Sequence, residues 1–239
     1  MAAKLGGRRG ADRRVGRGAD SIVRSGRGLL GQFRREPRGN VSGGVRQGVT
    51  YTDQQAIGID VDFGKLAHWN GIKLHVSFNN RDGDSLSNDY LDSLFQVQQL
   101  FGGGERARLM ELTVEFSLWN NVVNIRGGRA MGGNVFATSP VYLNFMNQAI
   151  CGNLGCLGKN INLSFYPVAT WGGRIQLRPA PWFMFQAGAY EANPTLNSRN
   201  GFDWSTTGAT GVIYMSEFWF TPGSRAGGNA RSLQTRRLS

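Results

Sequence analysis

The stretch Glu111-Leu-Thr-Val-Glu-Phe-Ser-Leu118 alternates without a break. Leu112, Val114, Phe116 and Leu118 fall on one side, and Glu111, Thr113, Glu115 and Ser117 on the other. Strict period-two alternation over eight residues predicts a strand with one apolar and one polar face. Ile72 to Phe78 repeats the pattern, with Ile72, Leu74, Val76 and Phe78 opposed by Lys73, His75 and Ser77. Asn120-Asn121 then suits a tight hairpin into a strand at 123–127, because asparagine tolerates the positive φ of such turns. Alternation recurs at Ile57-Ile59-Val61-Phe63, at Ile161-Leu163-Phe165, and at Ile175-Leu177 between Arg174 and Arg178. Two aromatic-rich strands, about 182–190 and 210–220, complete a set of about eight. Gly/Asn/Ser-rich connections lie at 80–106, 130–158 and 192–208, and only 89–100 reads as a short helix. The predicted class is all-β and antiparallel.

Composition narrows the choice. Glycine accounts for 35 of 239 residues, about twice its usual share, but with no Gly-X-Y period. Aromatics at 11% argue against wholesale disorder. No apolar run approaches the ~20 residues of a membrane-spanning helix. The net charge of +11 belongs to the ends. Residues 1–38 carry +8 and 222–239 carry +4, leaving −1 between them. The expected organisation is therefore a disordered Gly/Arg-rich segment at 1–38, a β-domain at 39–221 and a disordered Arg-rich tail at 222–239. Cys151 and Cys156, in CGNLGC, have no histidine nearby and make no metal site. They either close a small disulfide loop or remain two free thiols.

The polar faces carry both signs: Lys73 and His75, Glu111 and Glu115, then Arg126, Arg174 and Arg178. On a soluble sandwich such residues meet water. On a transmembrane barrel they line the lumen, and the apolar set meets lipid. Period alone does not separate the two.

A series of short motifs does. In order they are Asn40-Val-Ser-Gly-Gly44, Gly48-Val-Thr-Tyr51, Ile59-Asp-Val-Asp-Phe-Gly-Lys-Leu66 and Trp69-Asn-Gly71. Then follow His75-Val-Ser77, Asp84-Ser-Leu-Ser-Asn-Asp-Tyr90 and Arg108-Leu-Met-Glu-Leu112. Arg126-Gly-Gly-Arg129, Tyr166-Pro167, Thr170-Trp-Gly172, Gly188-Ala-Tyr-Glu-Ala-Asn-Pro194 and Glu217-Phe-Trp-Phe-Thr-Pro-Gly223 complete the series. Their order and spacing resemble the first half of a carbohydrate-selective porin of the OprB family. The resemblance implies an antiparallel up-and-down transmembrane β-barrel, here about eight strands, or half of a 16-stranded wall. It implies passive passage of mono- or oligosaccharides across the outer membrane, contact with outer-membrane lipid, and no cofactor. A homo-trimer is expected by analogy with porins at large. Since neither a secretory signal nor a second half is legible, a truncated form is expected.

On that reading the pore-lining and sugar-contact candidates are Glu111, Glu115, Arg126, Arg129, Arg174 and Arg178, with Lys73 and His75 next. Mixed charges suit hydroxyls, which both donate and accept hydrogen bonds. Trp171 or Trp182 would stack on a sugar face or sit in an interface girdle. The connections 80–106 and 130–158 are candidates for a constriction folded into the lumen.

The alternative is a viral coat or nucleic-acid-binding protein, a basic arm followed by a soluble β-sandwich. It accounts for residues 1–38 but not for the motif series, so no nucleic-acid partner is expected. An enzyme is not expected either. Gly26-Arg-Gly-Leu-Leu-Gly31 matches a dinucleotide fingerprint, but no strand precedes it. His68 and His75 have no nucleophile context.

Overall fold

The computed structural model describes residues 26–101, 105–195 and 200–221. Eight strands make one antiparallel sheet in sequence order. They are β1 (Arg27–Asn40), β2 (Gly48–Asp62), β3 (Ile72–Gly83), β4 (Arg108–Leu118), β5 (Val123–Ala130), β6 (Thr170–Ala180), β7 (Phe183–Ala192) and β8 (Gly211–Phe220). Each strand pairs with the next, and β1 and β8 form the two edges of an unclosed sheet. This is the up-and-down order of half a barrel wall.

The predicted number of strands matches, but two members differ. Residues 27–38, expected to be disordered, form most of β1. Its apolar period is hidden because the outward positions beside Leu29 and Phe33 are Arg27, Gly31, Arg35 and Pro37. Proline is tolerated there because β1 is an edge. The would-be dinucleotide motif lies largely on this strand, with no helix following it. Residues 1–25 and the tail 222–239 lie outside the described residues.

Conversely, Ile161-Leu163-Phe165 is not a strand. Helix Gly155–Ile161 ends with Asn162 in the left-handed conformation. Leu163 then packs with Ala130, Phe136 and Tyr190, with Phe165 against the same cluster. The Phe165 ring lies 1.9 Å from where a Cβ at position 133 would stand, so Gly133 is required there. The predicted helix 89–100 shrinks to one π-helical turn, Ser87–Leu91. The 119–122 hairpin does use positive φ, at Trp119, Asn120 and Asn121. Cys151 and Cys156 are free thiols.

The two faces of the sheet are inverted relative to a soluble domain. Ile57 is 52% exposed, Phe116 42%, Ile175 40% and Phe218 73%. On the opposite face Thr52 is 0% exposed, Gln54 1%, Thr113 1% and Gln186 4%. In water, leaving the large apolar side chains out would forfeit roughly 1.5–3 kcal/mol apiece. Against lipid that loss vanishes. The register preserves the inversion across strands, since Phe116 pairs with Ile125 and Ile125 with Ile175.

The two ends of the sheet also differ. At one end the strands are joined by short segments, 63–71, 119–122 and 181–182. At the other they are joined by 41–47, 84–107, 131–169 and 193–210. The first end carries the helix Phe63–Ala67, whose N-terminus is capped by Asp62, with its carboxylate accepting from the Gly64 amide at 3.0 Å.

Ile175→Lys places a charge on the exposed apolar face and is expected to destabilise the membrane-folded state by about 2–4 kcal/mol. Equilibrium unfolding from phosphatidylcholine vesicles checks this. The same substitution would be near neutral if that face met water.

Candidate functional site

The opposite face collects the charges. One cross-strand row runs Asp62, Lys73, Glu115, Arg126, Arg174, over β2 to β6. Signs alternate along it until the last two members, both arginines, stand side by side. The neighbouring row contains Asp60, His75 and Thr113, then Gly128 and Gly172, and continues through Tyr190 on β7 to Ile213 on β8.

Hydrogen bonds tie the rows together. His75 Nδ1 lies 2.6 Å from Asp60 Oδ1, and its Nε2 lies 3.6 Å from Glu115 Oε2. Arg126 donates through Nε to Thr113 Oγ1 at 2.9 Å and through Nη2 to Glu111 Oε1. The Thr113 hydroxyl donates onward to the same Glu111 oxygen at 2.8 Å. Arg174 is 8% exposed and gives Nη1 to Gln176 Oε1 at 2.7 Å. Its Nε has no hydrogen-bond partner among the described residues. Opposite Arg174 the register sets Gly188, and the Phe136 ring fills the space a side chain there would take.

Seven of the eight residues expected from the sequence thus share this face: Lys73, His75, Glu111, Glu115, Arg126, Arg174 and Arg178. Arg178 stands nearer the short-turn end, with Nη2 3.3 Å from Met184 Sδ. Arg129 does not belong with them. It pairs in register with Leu112 and Trp171 on the apolar face, where its guanidinium lies 5.6 Å from the Trp171 ring. Trp171 is turned the same way, its indole N–H donating to Trp204 O at 3.0 Å. Trp182 occupies the β6–β7 turn, edge-on to Phe220.

The polar face also holds charges that the sequence reading missed. Arg34, Glu36 and Arg38 enter with β1, opposite Gln54, Thr52 and Thr50. Arg81 and Arg108 are 4% and 2% exposed. Arg81 continues the alternation of Lys73, His75, Ser77 and Asn79, so its signal was present. Its Nε donates to Gln54 Oε1 at 2.9 Å, and its guanidinium covers the Tyr166 ring at 4.9 Å. Burial pushes the Tyr166 phenol up, with the Arg81 charge working against the rise.

Two of the long connections, 84–107 and 131–169, fold over this face. Gln98 reaches Thr52 Oγ1 at 3.3 Å, and the Leu100 amide donates to Glu36 Oε2 at 3.2 Å. From the other connection, Val135 O accepts from Gln186 Nε2 at 3.1 Å, and the Ala137 amide donates to Glu217 Oε2 at 3.0 Å. They meet where the Gln148 amide donates to Gln96 O at 2.9 Å.

An all-antiparallel sheet with exposed apolar residues on one face and a mixed-charge array under inward-folded loops on the other is the wall of a porin-type barrel. Comparison with known proteins agrees. Residues 46–234 match the family described as carbohydrate-selective porin, OprB family, and the chain belongs to that family. Porin B of Pseudomonas aeruginosa is 31% identical over 196 residues, covering 78% of this chain and 42% of that protein. The high-pH structure of Pseudomonas putida OprB superposes with a TM-score of 0.76 at 28% identity. It covers 84% of this chain and 49% of that one. The chain therefore spans about half the length of these relatives. The relatives in this family are porins and not enzymes, and membership, with the exposed apolar face, displaces the coat-protein reading.

Glu111→Ala removes the carboxylate shared by Arg126 and Thr113. The expected loss is about 1.5–3 kcal/mol, the range for hydrogen bonds to charged groups. A double-mutant cycle with Arg126→Ala should show coupling of at least 1 kcal/mol on the order expected for residues in one network.

Proposed function

We propose that this chain forms part of the wall of an outer-membrane porin that passes sugars passively down their gradient. The long connections would face outward from the cell and the short turns the periplasm, as in barrels of this kind. The inverted sheet supports this reading above all: its apolar face suits lipid, and its polar face suits a wet path. Donors and acceptors alternate along that path. Guanidinium groups of Arg126 and Arg174 give hydrogen bonds to hydroxyls, and Glu111 and Glu115 accept them. Each replaces part of a sugar's hydration without holding the sugar tightly. The two long connections, seated on the polar face, would narrow the path and set its size limit. Arg178 extends the array toward the periplasmic end, Lys73 stands in the same cross-strand row as Glu115, Arg126 and Arg174, and His75 adds to the row on the other side of it.

Reconstituted proteoliposomes test this by swelling. Monosaccharides should enter in proportion to their gradient and faster than amino acids of similar size. Equal rates for both, or swelling no faster than in empty liposomes, would reject the reading. Glu111→Lys should shift ion permeation toward anions by a few-fold, since a surface-like charge contact is worth about 1 kcal/mol in wet surroundings. Reversal potentials across a salt gradient measure that shift.

A further inference from the structure

The connection 193–210 does not join the other two on the polar face. Its described part runs along the outside of the wall. The Trp171 indole donates to Trp204 O, and the two rings meet edge-on with centroids 6.2 Å apart. Phe202 stacks on Phe78, an outward residue of β3, also at 6.2 Å. From its root on β7 the segment therefore reaches back over β6, β5 and β4 to β3. Its base is tied down on the same side. Glu191 and Asn193 are 7% and 5% exposed, and the Asn193 amide donates to Glu191 Oε1 at 2.9 Å and to Thr207 O at 3.3 Å.

Beneath this segment the ladder has a seam. Pairing of β4 with β5 stops at Leu112 and Arg129, although β4 runs on to Arg108. The chain turns inward after β5, where Met131 packs with Ala56, Met110 and Ala169 and opens the connection 131–169. With no β5 residue opposite, the Leu109 amide donates to Asn200 O at 3.0 Å. An unsatisfied amide is costly at lipid depth, so this bond holds the segment in place. Gly201 follows at a φ of +83°, and a Cβ there would stand 2.4 Å from Leu109 O, so only glycine fits. Gly201 shares a cavity of about 10 Å³, room for about one water, with Arg129, Pro167, Val168 and Ala169. The last three lead the connection 131–169 back into β6, and Arg129 Nη2 donates to Ala169 O at 2.8 Å.

We propose that residues 200–204 are an external strap that positions the constriction. They hold the root of the connection 131–169 from outside the wall and so help to set the size limit of the pore. The proposal rests on the reading that this connection narrows the path. The strap acts through the connection and touches no solute. A shift at the root is carried inward because Met131 and Ala169, at the two ends of the connection, pack in one cluster.

Polymer exclusion in planar bilayers tests this. Polyethylene glycols that enter the pore lower its conductance, and the smallest excluded polymer gives the size limit. Two variants release the strap by different means. Gly201→Val obstructs the close approach to Leu109, and Phe202→Ala combined with Trp204→Ala removes both aromatic contacts with the wall. Each is expected to keep the heat-dependent electrophoretic shift of a folded barrel. Each should raise the excluded polymer mass by about two-fold, as for a pore widened at its narrowest ring. Phe202→Leu combined with Trp204→Phe should restore most of the original limit. Trp119→Ala, in the β4–β5 turn at the other end of the sheet, should leave it unchanged. A folded alanine double variant with the original limit would overturn the proposal, as would an equal shift from Trp119→Ala. So would an alanine double variant that no longer folds, because the segment would then be part of the wall and not a positioning element. If the unsubstituted protein admits polymers as large as an unobstructed barrel would, the constriction reading fails and the strap's role with it. A limit present in the unsubstituted protein that no strap substitution moves overturns the strap alone.

Discussion

In hydrocarbon, every backbone N–H and C=O must find its partner within the protein, and this requirement governs the rest of the structure. Between its two edges the chain meets it with an antiparallel ladder in which each strand pairs with its sequence neighbour, the register shifting at Ser77/Phe78 and between Leu177 and Ala180. The ladder fixes side-chain direction by parity. Once Leu112 faces out, Thr113 faces in, and the register carries that choice from strand to strand. A one-residue slip would turn Glu115 and Arg126 toward lipid. The charged rows are therefore a consequence of the pairing.

The polar face is held by what folds over it. The connections between β3 and β4 and between β5 and β6 bring their own donors and acceptors, and they take up Thr52, Glu36, Gln186 and Glu217. Small residues make room for them. Gly188 leaves the space occupied by Phe136, and Gly133 admits Phe165. The abundance of glycine in the sequence is thus partly a packing device, letting loops lie directly on the sheet.

Most of this was legible where the period-two pattern is undisturbed. β3, β4 and the β4–β5 hairpin could be read from alternation and from Asn120-Asn121, and with them Lys73, His75, Glu111, Glu115 and Arg126. β1 was not legible, because its outward positions include arginine, glycine and proline and its basic character resembles a solvated arm. Ile161-Leu163-Phe165 misled for the opposite reason: three alternating apolar residues also describe a loop plugging a cavity. Arg129 was grouped with Arg126 for its charge, against the parity of the strand that holds both, Arg126-Gly-Gly-Arg129. It stands three positions after Arg126, and an odd offset within one strand puts the two on opposite faces.

The central claim is that one face of this sheet meets lipid and the other meets water. Single nitroxide labels placed successively from position 112 to 117 on β4, in the protein reconstituted into vesicles, test it most directly. The account predicts that labels at 112, 114 and 116 relax with oxygen dissolved in the bilayer. Labels at 113, 115 and 117 should respond instead to a water-soluble nickel chelate. Collision with the chelate at the first set and protection from both relaxants at the second would contradict it, because that is the pattern of a soluble sheet with the opposite face packed.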